Sequence, residues 1–153
     1  MAEASADAWA NPASVHRAGR AAKALVERAR AQVAESVGAR AADIVFTSGG
    51  TEACNLALRG LFGERPAGAE IVTTRIEHPA VERSLESLAL RGAVLRRLEL
   101  EDGLPASVQA LEALFSERTA LAVIQWVNHE TGIIWPVHAC AEACARRGIP
   151  LVI

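Results

Sequence analysis

The stretch Ile44-Val-Phe-Thr-Ser-Gly-Gly-Thr-Glu-Ala-Cys-Asn55 joins a short apolar run to two glycines and then to residues that favour a helix. Its first four residues, 44–47, predict a buried β-strand, and residues 52–59 predict the helix that follows. A glycine turn at a helix N-terminus leaves several backbone N–H groups without an acceptor inside the helix, and those groups favour a bound anion. The stretch therefore predicts either a phosphate-binding turn or an ordinary connection between a strand and a helix.

Two well-known nucleotide-binding loops are excluded by the spacing of this turn. No lysine follows Gly49 and Gly50 as a P-loop requires, and the triple-glycine pattern of dinucleotide-binding domains is absent. A phosphate bound by some other class of domain is the functional interpretation that remains.

Helical and strand-like segments alternate along the rest of the chain. The predicted helices cover residues 11–37, 52–59, 81–90, 105–115 and 137–147, and the predicted strands cover residues 44–47, 71–74, 93–100, 120–127 and 151–153. Asn11 is the predicted N-cap of the first helix, Pro12 its first residue, and Gly38 its stop. This alternation predicts a three-layer α/β/α domain with a mainly parallel sheet, covered by helices on both faces.

Three polar segments follow predicted strands: residues 48–51, Glu77 with His78, and residues 128–130. Ligands of open parallel sheets bind beyond the carboxyl ends of the strands. We therefore expect these segments to face one crevice.

Composition narrows the class of protein. The 153 residues are 51% hydrophobic and 22% charged with a net charge of −2, which favours one globular domain over disorder or nucleic-acid binding. We expect residues 1–10 to be poorly ordered and residues 11–153 to form the domain. No apolar run is long enough for a membrane span, and the acidic N-terminus is unlike a signal peptide, so a cytoplasmic location is expected.

The three cysteines are Cys54, Cys140 and Cys144, an odd number without a C-x-x-C pair, which indicates reduced thiols. Cys140, Cys144 and the neighbouring His138 could form a metal site, but small buried packing residues are the favoured interpretation. No metal site is predicted.

Four segments together resemble the cysteine desulfurases of the class V aminotransferase group. They are Asn11-Pro-Ala-Ser-Val-His16, the stretch from Ile44 to Glu52, Ile76-Glu-His-Pro-Ala-Val81 and Asn128-His-Glu-Thr-Gly132. The resemblance runs from residue 11 to residue 153. It implies the large domain of a fold type I enzyme that uses pyridoxal 5'-phosphate, forms a homodimer, and moves sulfur from L-cysteine to an acceptor protein for iron–sulfur clusters or thio-cofactors.

The resemblance also implies roles for individual residues. Gly50 and Thr51 match the pair that binds the cofactor phosphate. His78 matches the histidine that stacks on the pyridine ring and moves protons, a catalytic role for which imidazole is suited. His129 stands where the family usually has a second asparagine that donates to the phenolic oxygen of the cofactor, so this contact falls to His129, to Asn128 or to the neighbouring backbone.

Further family groups are expected outside the sequence. The resemblance places a substrate-side segment before Asn11, and after Ile153 it places an aspartate for the pyridinium nitrogen, the lysine that binds the cofactor covalently, and a cysteine loop. Lys23 is the single lysine and its helical position does not suit that role. We therefore expect a fragment of a desulfurase-like enzyme that is inactive alone. The alternatives are a non-catalytic remnant that binds phosphate, the cofactor or a protein partner, and a generic α/β domain with another ligand, which four ordered motifs disfavour.

Overall fold

A computed structural model describes residues 9–101 and 103–153 of the chain. The predicted poor order of residues 1–10 falls on residues outside this range except for Trp9 and Ala10. The chain divides into two compact units, the first ending at Phe46 and the second being Thr47–Ile153, and each is described by itself.

The first unit contains helix α1, Arg17–Ser36, and a 3₁₀ helix, Ala41–Asp43. The predicted helix start at Asn11 is wrong, because Asn11 closes a local turn: its Oδ1 accepts from the N–H of Ala13 at 2.9 Å. The helix is instead capped by His16, whose Nδ1 accepts from the N–H of Gly19 at 3.2 Å. Asn11 and His16 both carry an acceptor that can bond a backbone N–H two or three residues later. The sequence alone does not show which of the two caps the helix.

The predicted end of α1 is confirmed. Gly38 adopts a left-handed conformation with φ 67°, and the N–H of Ala39 returns to the carbonyl of Ala34 at 2.9 Å. This is the Schellman arrangement, in which glycine accepts a positive φ that other residues resist. Lys23 lies on the exposed side of α1 as expected.

The predicted buried strand at residues 44–47 is wrong. No described strand pairs with it, and the side chains of Val45 and Phe46 are 66% and 48% exposed. Its contacts are local: the Arg30 guanidinium donates to the carbonyl of Ile44 and lies 4.9 Å from the centroid of the Phe46 ring. An apolar run becomes a strand only where a neighbouring strand accepts its hydrogen bonds.

The second unit has four helices and four strands. The helices are α2 (Gly50–Phe62), α3 (Pro79–Leu90), α4 (Val108–Ala113) and α5 (Val137–Arg146). The strands are β1 (Glu70–Thr74), β2 (Val94–Leu98), β3 (Thr119–Val123) and β4 (Leu151–Val152). Helix α4 and strands β2 and β3 are shorter than predicted.

The sheet order is β2-β1-β3-β4, and every neighbouring pair is parallel. Alternate residues of the central strands enter two apolar cores. Ile71 and Leu121 pack with the buried side chains of α2 and α3 on one face. Val72 and Ala122 pack with Trp135 and the buried side chains of α4 and α5 on the other face. The predicted three-layer α/β/α architecture with a parallel sheet is confirmed. None of the helices in the described part of the chain is long and apolar enough to cross a membrane.

Candidate functional site

The glycine turn forms the N-terminus of α2. Gly49 is the N-cap in an extended backbone conformation, and the first helical hydrogen bond runs from the N–H of Ala53 to its carbonyl at 3.0 Å. Among the described residues, no acceptor is recorded for the N–H groups of Gly50 and Thr51. These donors lie at the positive end of the helix dipole, so the turn can receive an anion.

Glu52 holds this turn in shape. Its Oε2 accepts from both the N–H and the hydroxyl of Ser48 at 2.6 Å. These bonds, the hydroxyl first, lower the pKa of the Glu52 carboxyl. A carboxylate that reaches back one turn closes the turn and leaves the N–H groups of the next residues for a ligand.

His78 is the N-cap of α3 and lies at the end of the short segment that follows β1. Its Nδ1 accepts from the N–H of Ala80 at 3.1 Å, and Pro79 occupies the first helical position. Because Nδ1 is an acceptor in this bond, the neutral imidazole carries its proton on Nε2. The exposed ring therefore offers a hydrogen-bond donor to a ligand in front of it.

Asn128 organises the loop that follows β3. The residue is 4% exposed. Its Oδ1 accepts from the N–H groups of Glu130 and Thr131 at 3.0 and 2.8 Å, and its Nδ2 donates to the carbonyl of Ile76 at 2.9 Å. The Asn128 amide is thus used in shaping the loop, and the backbone N–H groups of Glu130 and Thr131 contribute to the turn.

His129 is exposed and contacts His78. The two imidazole centroids are 4.7 Å apart with the ring planes inclined at 61°. The predicted crevice brings these two residues together, and His78 shares a cavity with Thr51. Thus one member of each of the three polar segments lies at this edge of the sheet.

Two cavities meet at His78. The first, which we call the α2–α3 cleft, has a volume of about 450 Å³ and includes Thr51, Asn55, Arg59, His78, Arg83 and Ser84 in its lining. The second, which we call the ring pocket, has a volume of about 380 Å³ at the carboxyl ends of β3 and β4. Apolar side chains dominate the ring pocket: Val81, Val123, Ile124, Trp126, Val127, Val152 and Ile153. His78 thus lines both the apolar ring pocket and the cavity that contains Thr51.

Glu77 lies in the wall of the ring pocket. Its Oε1 accepts from the Thr74 hydroxyl at 2.7 Å and from the N–H of Gln125 at 3.0 Å. Burial raises the pKa of the Glu77 carboxyl despite these two bonds. The carboxylate therefore ties the end of β1 to the segment after β3, which fixes the two loops that carry His78 and His129.

Sequence reasoning missed the two arginines of the α2–α3 cleft. Arg59 extends from α2 and Arg83 from α3. A signal was present, because Thr51, Asn55 and Arg59 are spaced by four and lie on one face of a helix. The spacing of these three polar residues on α2 can be read from the sequence. Their proximity to Arg83 on α3 depends on how the two helices pack and cannot be read from it.

Cys140 and Cys144 lie in the apolar core that α5 forms with the sheet. Cys140 and Cys144 are 2% and 1% exposed, and no group of three or more metal-ligating side chains occurs in the described residues. Burial raises the pKa of Cys140, and it raises the pKa of Cys144 to about 11 with a smaller contribution from the neighbouring Cys140. Both thiols belong to the core, as favoured by the sequence.

The parallel sheet between two helical layers, with ligand-facing loops at its carboxyl edge, defines an α/β domain of the three-layer type. The chain belongs to the Aminotransferase class-V family, whose sequence profile matches residues 1–153.

Relatives of the chain are named as cysteine desulfurases. It is 38% identical over 142 residues to a cysteine desulfurase of Cereibacter sphaeroides, covering 92% of this chain and 37% of the relative. It is 41% identical over 143 residues to the cysteine desulfurase IscS of Serratia proteamaculans, covering 92% of this chain and 35% of the relative. Its structure is similar to that of SspA in complex with cysteine, with a TM-score of 0.89 and 30% identity over 97% of this chain and 43% of the other. The chain thus spans little more than a third of the length of these two curated relatives.

Proposed function

We propose that the complete protein to which this chain corresponds is a cysteine desulfurase that uses pyridoxal 5'-phosphate. Its substrate is L-cysteine and its product is sulfur carried to an acceptor protein, for iron–sulfur clusters or thio-cofactors. The relatives named cysteine desulfurase support the reaction class. One observation carries the assignment to this site: His78 borders both the cavity that contains Thr51 and the apolar ring pocket. The homodimer that the resemblance to the cysteine desulfurases implies is also part of this proposal.

The residues present fit the cofactor. The N–H groups of Gly50 and Thr51, the Thr51 hydroxyl and the α2 dipole would hold the phosphate dianion. The ring pocket has the size and apolar lining that suit the pyridine ring, and His78 is part of its wall. When bound, pyridoxal phosphate serves as an electron sink for bonds at the substrate α-carbon.

His78 would provide the flat surface and the proton-bearing group next to the ring. Its Nε2–H is the donor that faces a ligand, since Nδ1 accepts from Ala80. A second proton on the imidazole would convert Nδ1 into a donor and break this N-cap bond. Proton uptake by His78 would therefore remove one hydrogen bond from the first turn of α3, while the bonds from the N–H groups of Val81 and Glu82 to the His78 carbonyl remain.

His129, rather than Asn128, is proposed to donate to the phenolic oxygen of the cofactor. Both Nδ2 bonds of Asn128 run to the protein, to the carbonyl of Ile76 at 2.9 Å and to Oε1 of Gln125 at 3.3 Å. The imidazole of His129 is exposed beside His78 and remains available for a ligand. Asn128 then contributes indirectly, by holding the loop from which His129 extends.

Titration with pyridoxal phosphate tests the site. Thr51→Ala should weaken binding about tenfold or more, because a charge-assisted hydrogen bond is worth about 1.5–3 kcal/mol. Ser107→Ala is the matched control, since Ser107 is also a hydroxyl residue, caps α4 and lines neither cavity. Equal affinity of wild type and Thr51→Ala would exclude the proposed phosphate contact.

The reaction itself is tested on the complete protein. We expect release of sulfide from L-cysteine in the presence of pyridoxal phosphate and a reductant, and loss of that release in His78→Ala. A complete protein that binds the cofactor but releases no sulfide from L-cysteine would contradict the proposed reaction and leave the cofactor site in place.

A further inference from the structure

The side-chain amide of Gln125 joins the two segments that carry the exposed histidines. Gln125 lies just after β3, and its Nε2 donates to the carbonyl of Ile76 at 2.6 Å, two residues before His78. Its Oε1 accepts from Nδ2 of Asn128 at 3.3 Å, one residue before His129. One amide therefore contacts the chain shortly before each imidazole.

Both side-chain amides of this network have a fixed orientation. The carbonyl of Ile76 can only accept, so the atoms that bond it are Nε2 of Gln125 and Nδ2 of Asn128. The backbone N–H groups of Glu130 and Thr131 can only donate, so the atom that they reach is Oδ1 of Asn128. Because Asn128 is 4% exposed, water does not easily replace a partner that it loses.

The backbone of Gln125 provides a third link between the same segments. Its N–H donates to Oε1 of Glu77 at 3.0 Å, and this oxygen also accepts from the Thr74 hydroxyl. Two consecutive residues before His78, Ile76 and Glu77, are thus bonded to Gln125. The link to Glu77 uses the backbone and survives a change of the Gln125 side chain, whereas the two amide bonds do not.

We propose that Gln125 is a positioning residue whose side-chain amide sets the separation of His78 and His129. The two ring centroids are 4.7 Å apart and both side chains are exposed, so their placement depends on the segments from which they extend. Gln125 also lies in the wall of the ring pocket, next to His78. The effect of Gln125 on pyridoxal phosphate rests on the proposed function, whereas its effect on the histidine pair does not.

Hydrogen exchange in the ligand-free 153-residue chain tests the network without a substitution. The Nε2 proton of Gln125 that is bonded to Ile76 should exchange with water at least about tenfold more slowly than the side-chain amide protons of Gln109. Gln109 is an exposed glutamine on α4 and serves as the reference. Equal exchange of the two amides would mean that Gln125 is not bonded in solution, and would overturn the proposal.

The substitution Gln125→Met tests the effect on the histidine pair. Methionine is close to glutamine in size but lacks both amide bonds, so the nuclear Overhauser effect between the His78 and His129 rings should weaken or disappear. A lower stability alone would leave this ring contact intact in the folded molecules. Gln109→Met makes the same change at the exposed position on α4 and should preserve the contact.

An unchanged ring contact in folded Gln125→Met, or its loss in Gln109→Met, would overturn the positioning role. The backbone amide spectrum shows whether each variant is folded. If Gln125→Met does not fold, the exchange comparison in the wild type decides.

Titration with pyridoxal phosphate separates this inference from the cofactor proposal. Gln125→Met should weaken binding by about two- to tenfold, because the two histidine side chains must then be ordered on binding. The same substitution should have a smaller effect in a His129→Asn background, since the pair that Gln125 positions is already lost. Equal effects in both backgrounds would mean that Gln125 contacts the ligand directly, and would overturn the positioning role. Absence of binding by the wild type would contradict the cofactor site, and the exchange and ring-contact measurements would still decide the role of Gln125.

Discussion

The imidazole rings of His78 and His129 contact each other edge to face, with centroids 4.7 Å apart. One ring lies at the end of the segment that follows β1 and the other in the loop that follows β3, so two neighbouring strands deliver the pair to one edge of the sheet. His78 is fixed on one side by its N-cap bond to Ala80 and on the other by this ring contact. The contact therefore restricts the orientation of the ring that faces the proposed cofactor.

Replacement of His129 tests this restriction. His129→Asn should shift the ring-proton resonances of His78, because the aromatic neighbour is lost, and should lower the free energy of unfolding by about 0.5 kcal/mol. Histidine ring NMR and urea unfolding measure the two effects. His138→Asn, an exposed change on α5, is the control and should leave the His78 signals in place. Unchanged His78 signals in His129→Asn would show that the rings do not touch in solution.

Glu70 at the start of β1 is a buried carboxylate held by three donors. Its side chain is fully buried and accepts from Arg96 at 3.1 Å, from Arg118 at 2.7 Å and from the Ser116 hydroxyl at 2.8 Å. Glu70→Gln should lower the free energy of unfolding at pH 7 by about 2 kcal/mol, because it uncouples two cations from a buried partner. Urea unfolding measures this. Glu99→Gln breaks the exposed Arg75 pair and should cost less than about 1 kcal/mol.

The effect of Glu70 should depend on pH. The hydrogen bond from Arg96, aided by Ser116 and Arg118, lowers the pKa of Glu70 below 4.5 against the opposing effect of burial. A lowered pKa in the folded state gives stability that is complete above pH 4.5 and is lost as the pH falls through the lowered pKa. The difference between wild type and Glu70→Gln should therefore shrink on acidification. A difference that grows below pH 4.5 would contradict this assignment.

Glu77 has the opposite pH dependence. Burial raises its pKa above 4.5, so ionisation costs the folded state free energy as the pH rises from 4.5 through the raised pKa. In the Glu77→Gln variant the side chain cannot ionise, and its amide oxygen can still accept from the Thr74 hydroxyl and the backbone N–H of Gln125. We expect this variant to gain stability relative to wild type over that pH range, measured by urea unfolding at several pH values. Glu77→Ala loses both bonds and should be less stable by about 1–2 kcal/mol at every pH.

Equal pH dependence of wild type and Glu77→Gln would contradict the raised pKa of Glu77. The same comparison distinguishes the two buried carboxylates, because Glu70→Gln and Glu77→Gln should diverge from wild type in opposite directions as the pH rises.

The sequence predicts the parallel sheet because strands buried on both faces are continuous apolar runs, as residues 120–124 are. The same rule fails at residues 44–47, where three apolar residues in a row precede Thr47 but no strand among the described residues pairs with them. A run of apolar residues indicates that a segment tends to be buried. Whether the segment becomes a β-strand depends on a neighbouring strand to pair with, and the tertiary fold determines whether one is present.

The candidate site also has one part that the sequence predicts and one part that it does not. The turn at Gly50 and Thr51 and the histidine at the start of α3 follow from local sequence, since glycine turns and N-caps are local structures. The contact between His78 and His129 and the cationic pair of the α2–α3 cleft join residues far apart in sequence. A single sequence does not reveal such pairs, because periodicity identifies one face of a helix but not the residues that pack opposite it.

The three cysteines should differ in reactivity. Cys54 is half-buried in the wall of the ring pocket, whereas Cys140 and Cys144 are almost fully buried and have raised pKa values, that of Cys144 about 11. Because the thiolate is the reactive form, iodoacetamide at pH 8 should alkylate Cys54 of the native chain at least about tenfold faster than the other two. Peptide mass spectrometry over time measures each rate, and the same reaction in denaturant, where all three should react alike, is the control. Native alkylation of Cys140 or Cys144 as fast as Cys54 would mean that α5 does not bury these thiols against the sheet in solution.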